Sequence, residues 1–249
     1  MIIRRNRTCM KRHDPATYPS RGRRRWRRWV VGGMIVAAVV FHATILRWLA
    51  RTLIVDDTRR TVDDVLVLDR GDCFDRAAEL YHAGLASRLH FIERPAKRLE
   101  SLGVVPSWGS LCNAELKRRR VSPRAITAIP GIADVNDTWQ MARCTRAWLK
   151  DHPDDTVRVL CGRFSSGGIR YVMSKTLAVD DLDRVVFCGV PNLRYDESNW
   201  WQSRAGCREI VAALFDQAYF RLHGEDSAVL IQPFDPDAFE RGLKLPLAP

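Results

Sequence analysis

The residues of this chain able to do chemistry stand in polar stretches directly behind short apolar runs. Asp69, Arg70 and Asp72 follow DVLVL at 64–68, and Glu115 stands alone in CNAELKRRR. Asp69, Asp72 and Glu115 are the carboxylates that would serve as acid or base in an enzyme. The sharpest stretch is GRFSSGG, between VRVLC (157–161) and IRYVM. Its hydroxyls Ser165 and Ser166, its glycine Gly167, and Arg163 and Arg170 would suit a phosphate or carboxylate at a helix start, where backbone N–H groups are free. No GKS or GKT follows, no GxGxxG is present, and neither serine has GxSxG spacing. A serine cap followed by a glycine turn explains the same residues, so both readings stand. Asn136 and Thr138 flank Asp137 ahead of a helical stretch, where they bind a ligand or cap the helix. Arg76 falls one turn into the helix after the first strand, within reach of a ligand at the strand tips. Asn192, Arg194, Asp196 and Glu197 follow the fifth strand. Glu209 is a single helical carboxylate, exposed by default. Trp200 and Trp201 either plug a site or pack under the last helix.

No metal is expected. His82, His90, His152 and His223 have no ligand spacing, and the cysteines form no CxxC pair. Cys161 and Cys188 close apolar runs and read as small core residues. An oxidising compartment would leave room for one disulfide among the rest.

The positioning elements alternate. Strands are expected at 64–68, 89–92, 125–129, 157–161 and 184–188. Helices are expected at 73–84, 112–120, 137–150, 168–177 and 203–222. Strands separated by helices predict an α/β, Rossmann-like three-layer domain with a mostly parallel sheet. In such sheets ligands bind beyond the carboxyl ends of the strands.

Ahead of this domain, Arg21, Arg23, Arg24, Arg25, Arg27 and Arg28 run into WVVGGMIVAAVVFHATILRWL at 29–49. At about 1.5 Å per residue this apolar run spans roughly the hydrocarbon thickness of a bilayer. Trp26, Trp29 and Trp48 mark its ends. The run reads as one N-terminal transmembrane helix. A cleaved signal peptide and a buried helix fit less well, the first for length and the second for its unpartnered arginines.

Residues 1–28 hold 11 Lys or Arg and a single acid, Asp14, so the net charge of +11 belongs almost wholly to this tail. A nucleic-acid-binding domain would carry its charge on the folded part, so no nucleic-acid partner is expected. The positive-inside rule places the tail in the cytoplasm and the domain across the membrane. The expected organisation is a basic tail (1–28), the span (29–49), a linker (50–61), the domain (62–224) and an irregular tail (225–249).

The order of features resembles the ElyC/SanA/YdcF family, a domain of unknown function carried behind one transmembrane helix in bacterial envelopes. The resemblance covers about residues 62–222. It rests on Arg76 in RAAELYHAG, on Glu115 ahead of VSPRAI, on NDTWQMA, on Arg170 after the fourth strand, and on Trp201 followed by Glu209. The chain departs from the family pattern at three places. Asp69-Arg70-Gly71-Asp72 and Glu93-Arg94-Pro95 stand where the family has glycine loops, and CGRFSSGGIR lacks the family's histidine. The resemblance implies a bacterial inner-membrane protein with a periplasmic domain and a role in envelope or peptidoglycan-precursor maintenance. It also implies S-adenosylmethionine or a nucleotide-like anion as ligand.

Three functions follow as expectations. One is binding of an anionic small molecule or lipid-linked precursor, held by Arg76, Arg163 and Arg170 and hydrogen-bonded by Ser165, Ser166, Asn136 and Thr138. Another is a hydrolase or transferase acting on a phosphorylated or glycosylated precursor. The last is a catalytically silent docking domain.

Overall fold

The computed structural model describes residues 21–57, 62–96, 98–131 and 138–224. The chain divides into two compact units between Thr44 and Ile45. The helix α1 (Arg21–Thr52) carries the apolar run. Among the described residues no single helix is long and apolar enough to cross a membrane. Two segments of α1, Trp29–Ala38 and Val40–Thr52, bent by 55°, pass that test together. Met34, Val36, Val40 and Phe41 are all exposed.

The second unit is α/β. Five strands, β1 (Asp64–Val67), β2 (Arg88–Ile92), β3 (Ile126–Ile129), β4 (Val157–Gly162) and β5 (Val185–Val190), form one sheet in the order β3-β2-β1-β4-β5. Every pairing is parallel. Strands β1, β4 and β5 are buried on both faces, which is why they read as near-continuous apolar runs instead of alternating ones. On one face, α2 (Asp72–His82) and α4 (Trp108–Arg118) bury Phe74, Leu80, Cys112 and Leu116 against Val65, Val67, Leu89 and Phe91. On the other, α5 (Thr138–Asp151) and α6 (Ser166–Thr176) bury Trp139, Leu149 and Met173 against Leu66, Val159 and Phe187. Short helices α3 (Arg98–Ser101) and α7 (Val179–Asp183) have too few residues to show a period, and the sequence reading lacks them. The long α8 (Arg204–His223) closes the described chain, with Ser203 accepting from Gly206 N–H as its cap.

One local signal acts as expected. Gly84 has φ +67°, and Gly84 and Leu85 N–H groups donate to Tyr81 and Leu80 carbonyls, so α2 ends in a Schellman turn. Helix α4 starts four residues before the expected Cys112, because Ser107 accepts from Ser110 N–H and caps it there. No disulfide joins the described cysteines.

Residues 50–57 are not a linker. Ala50 and Leu53 are fully buried with Phe164, Tyr195, Trp200, Ile210 and Ala213 in a third apolar cluster. Asp56 makes an antiparallel bridge with Cys188, and Asp57 N–H donates to the Phe187 carbonyl. The segment thereby covers the open edge of β5, whose backbone groups would otherwise be left without partners. Trp200 and Trp201 belong to the same packing, and Trp200 Nε1 donates to the Leu46 carbonyl.

Candidate functional site

The strand order reverses direction between β1 and β4, and the crevice at their carboxyl ends is where doubly wound sheets take ligands. A cavity of about 540 Å³ lies there. The loop after β1 supplies Asp69, Arg70 and Asp72, the loop after β5 supplies Arg194 and Tyr195, and α8 supplies Glu209. Gly162, at the end of β4, is the meeting point. A Cβ there would lie 3.0 Å from Asp69 Oδ2, 3.1 Å from Ser165 Oγ and 3.6 Å from Glu209 Oε1. Gly71 takes φ +66° and ψ −118° at the start of α2. Only glycine tolerates that conformation readily, so the turn that sets Asp69 and Asp72 on one cavity needs it.

Glu209 is the least ordinary carboxylate in this group. Burial raises its pKa, the hydrogen bond from the Tyr195 hydroxyl opposes the rise, and the charges of Asp69 and Asp72 add to it. Tyr195 is pushed up to about 12 by burial and by Glu209, so it stays a donor. This corrects the expectation that Glu209 is simply exposed. Its one sequence signal is a shared helix face with Ala205, four residues earlier, which also lines the cavity.

A second cavity of about 610 Å³ flanks the first and holds Arg76, Arg163, Asp56 and Cys188. Asp72, Val190 and Leu193 line both. Leu193 N–H donates to Asp72 Oδ2 at 3.3 Å, so the loop after β5 forms the partition. A third cavity, about 420 Å³, lies at the ends of β2 and β3 and is lined by Arg94, Ser107 and Gly109 among others.

The expected anion loop is already filled by its own chain. Gly167 N–H donates to the Leu53 carbonyl at 2.9 Å, and a Cβ on Gly167 would lie 2.5 Å from that oxygen. Ser166 is fully buried, accepts from Val55 N–H at 2.9 Å and donates to the Arg163 carbonyl at 2.7 Å. Ser165 donates to the Gly162 carbonyl. Arg163 forms a fork on Glu197 at 2.9 and 2.8 Å, and Arg170 pairs with Asp57 at 2.8 Å. Arg76 pairs with Glu79 at 2.9 Å. Neither reading describes the loop in full: Ser165 makes no side-chain cap bond to α6, Gly167 lies within the helix, and the loop's donors and acceptors are met by the chain's own groups.

Glu115 lies outside all three cavities. It is bonded by Arg119 and Arg118, and those bonds hold its carboxyl below the usual range. It is therefore a surface ion-pair member and not an acid–base partner for Asp69 or Asp72. Thr138 is the first residue of α5, and Asn136 lies outside the described residues. Among the described residues, no group of three or more His, Cys, Asp or Glu is placed to hold a metal ion.

No protein-family model matches this chain, and no curated protein or solved structure matches it either.

Proposed function

We propose that this chain is a membrane-tethered bacterial envelope domain that binds a hydroxyl-bearing anionic small molecule or lipid-linked precursor at the β1/β4 crevice. The carrying observation is the convergence of Asp69, Asp72, Glu209, Arg70, Arg194 and Tyr195 on one cavity at the switch point of a parallel sheet. Carboxylates there accept from ligand hydroxyls, and the two guanidinium groups offset ligand charge. The tether rests on the exposed apolar side chains of α1 between Trp29 and Trp48, which need an apolar surrounding, and on the arginines before them. The place in envelope-precursor maintenance, and S-adenosylmethionine or a nucleotide-like anion as ligand, rest on the ElyC/SanA/YdcF resemblance alone.

The test is thermal unfolding of the full chain in detergent micelles with S-adenosylmethionine, sugar nucleotides and polyprenyl phosphates. A ligand at 100 times its dissociation constant adds about 2.7 kcal/mol of stability. The reading requires a shift with at least one probe that Asp69→Asn diminishes. No shift with any of them sinks it.

A second reading, a hydrolase or transferase on the same ligand class, is favoured by Glu209 in particular. A half-buried carboxylate with a raised pKa and a fixed Tyr195 partner is suited to deliver a proton. For an enzyme, Glu209→Gln abolishes turnover and leaves affinity nearly unchanged. For a binder, it changes affinity only.

A further inference from the structure

We propose that Arg70 and Arg94, gathered over the indole of Trp108, form a phosphate subsite for the ligand of the β1/β4 crevice. This rests on the reading of that crevice as a ligand site and adds the chemistry of one end of the ligand.

Sheet register brings the two arginines together. Val67 of β1 is paired with Phe91 of β2, and Arg70 and Arg94 each follow three residues later, so their loops leave the sheet side by side. The guanidinium carbons lie 5.4 Å (Arg70) and 4.5 Å (Arg94) from the Trp108 ring centroid. Trp108 is 3% exposed and opens α4, so the ring is a fixed platform. Stacking on a ring orients a guanidinium plane and leaves its N–H edge for a planar or tetrahedral oxyanion.

Charge balance sets these two, with Arg194 of the crevice, apart from the arginines expected to hold the anion. Arg76, Arg163 and Arg170 already have carboxylate partners in Glu79, Glu197 and Asp57. Among the described residues no carboxylate lies within ion-pair distance of Arg70 or Arg94. The Arg94 guanidinium donates to the Leu68 carbonyl at 3.1 Å and to Met141 sulfur at 3.7 Å. Two like charges over one ring repel, and Arg94 is half-buried, where water screens least. A phosphate between them removes that repulsion and takes charge-assisted hydrogen bonds from both. The position also fits. Arg70 lines the crevice cavity, and Arg94 lines a separate one together with Glu93, Ser107 and Gly109, the last two at the α4 N-terminus, whose dipole adds to the attraction and offsets the Glu93 charge.

The experiment is calorimetric titration of the full chain in detergent with inorganic pyrophosphate, glucose 1-phosphate and glucose. Phosphatidylcholine vesicles carrying a polyprenyl phosphate form a further arm, which separates a lipid-borne phosphate from a soluble one. The subsite requires that the phosphate probes bind, that Arg70→Ala and Arg94→Ala each weaken them about tenfold or more, and that Arg94→Lys retains part of the affinity. Arg70 is exposed, so its variant folds even where Arg94→Ala does not. Phosphate binding untouched by Arg70→Ala, or no binding of any phosphate probe, overturns the proposal. Glucose binding that Asp69→Asn weakens, with no gain from the phosphate, overturns the subsite and leaves the crevice reading standing. Pyrophosphate binding that needs Arg70, in a protein indifferent to Asp69→Asn, keeps the subsite and removes the crevice reading.

Discussion

Glu209 and Asp64 show opposite outcomes of burying a carboxylate, and each predicts its own pH dependence. The folded Glu209 carboxyl is raised above its ordinary value, so its contribution is fully present below the usual glutamate pKa and is lost as pH rises through the raised value. As pH rises from the ordinary glutamate pKa of about 4 through the raised one, unfolding free energy should therefore decline in the native chain relative to Glu209→Gln. Parallel profiles would show that Glu209 is solvated. Asp64, at the start of β1, is fully buried. Burial alone would raise it, yet hydrogen bonds from His90 and Arg88 outweigh burial and hold it below the usual range. Its stabilisation is present above the ordinary aspartate pKa and is lost as pH falls through the lowered one. Asp64→Ala strands a buried His90 contact and an Arg88 fork. Because Arg88 is partly solvated, the loss should be about 3 kcal/mol, at the low end for a broken buried pair. Urea unfolding at neutral pH measures it, and a loss under about 1 kcal/mol would place the pair among surface bridges.

At the scale of elements, the segment after α1 is part of the domain. It fills the groove that the Ser166–Gly167 turn presents, and it shields the β5 edge. Gly167→Ala drives a Cβ into the Leu53 carbonyl and should destabilise the domain by about 1–3 kcal/mol. Truncation provides the sharper comparison. A chain beginning at residue 45 keeps Ala50, Leu53 and the Asp56 bridge and should unfold in one cooperative transition. A chain beginning at residue 58 loses that apolar packing and exposes Trp200 and Ile210. It should unfold at markedly lower urea or aggregate. Equal midpoints for the two chains would return residues 50–57 to the status of a linker.

For the whole molecule, the charge asymmetry and the exposed apolar helix carry the proposed topology. Expressed in a bacterium, the full chain should stay with the membrane through alkaline carbonate washing. Protease added outside spheroplasts should digest the domain while sparing the basic tail. Release by carbonate, or digestion only after lysis, would contradict a single crossing with the domain outside.

Much of the second unit was legible because its signals are local. Apolar runs of four to six residues and a glycine ending α2 act within a turn or a strand, and with the helical periods between the runs they predict a parallel α/β sheet without knowledge of contacts. The placing of Asp69 and Asp72 at the sheet's carboxyl end was legible for the same reason, since the end of β1 can be read from its own run. The pairing of Glu209 with Tyr195 beside them was not, because both line the crevice only after a sheet with β4 beside β1 has formed. The Gly/Ser loop has the composition of an anion site, and composition cannot show that Leu53 and Val55, more than a hundred residues earlier, occupy its donors and acceptors. Sequence alone determined the five strands, the long helices and the charge asymmetry, and it pointed to the carboxyl end of the sheet as the candidate site. Tertiary structure alone decided which of the candidate arginines have carboxylate partners, because pairing of charges depends on strand order and register.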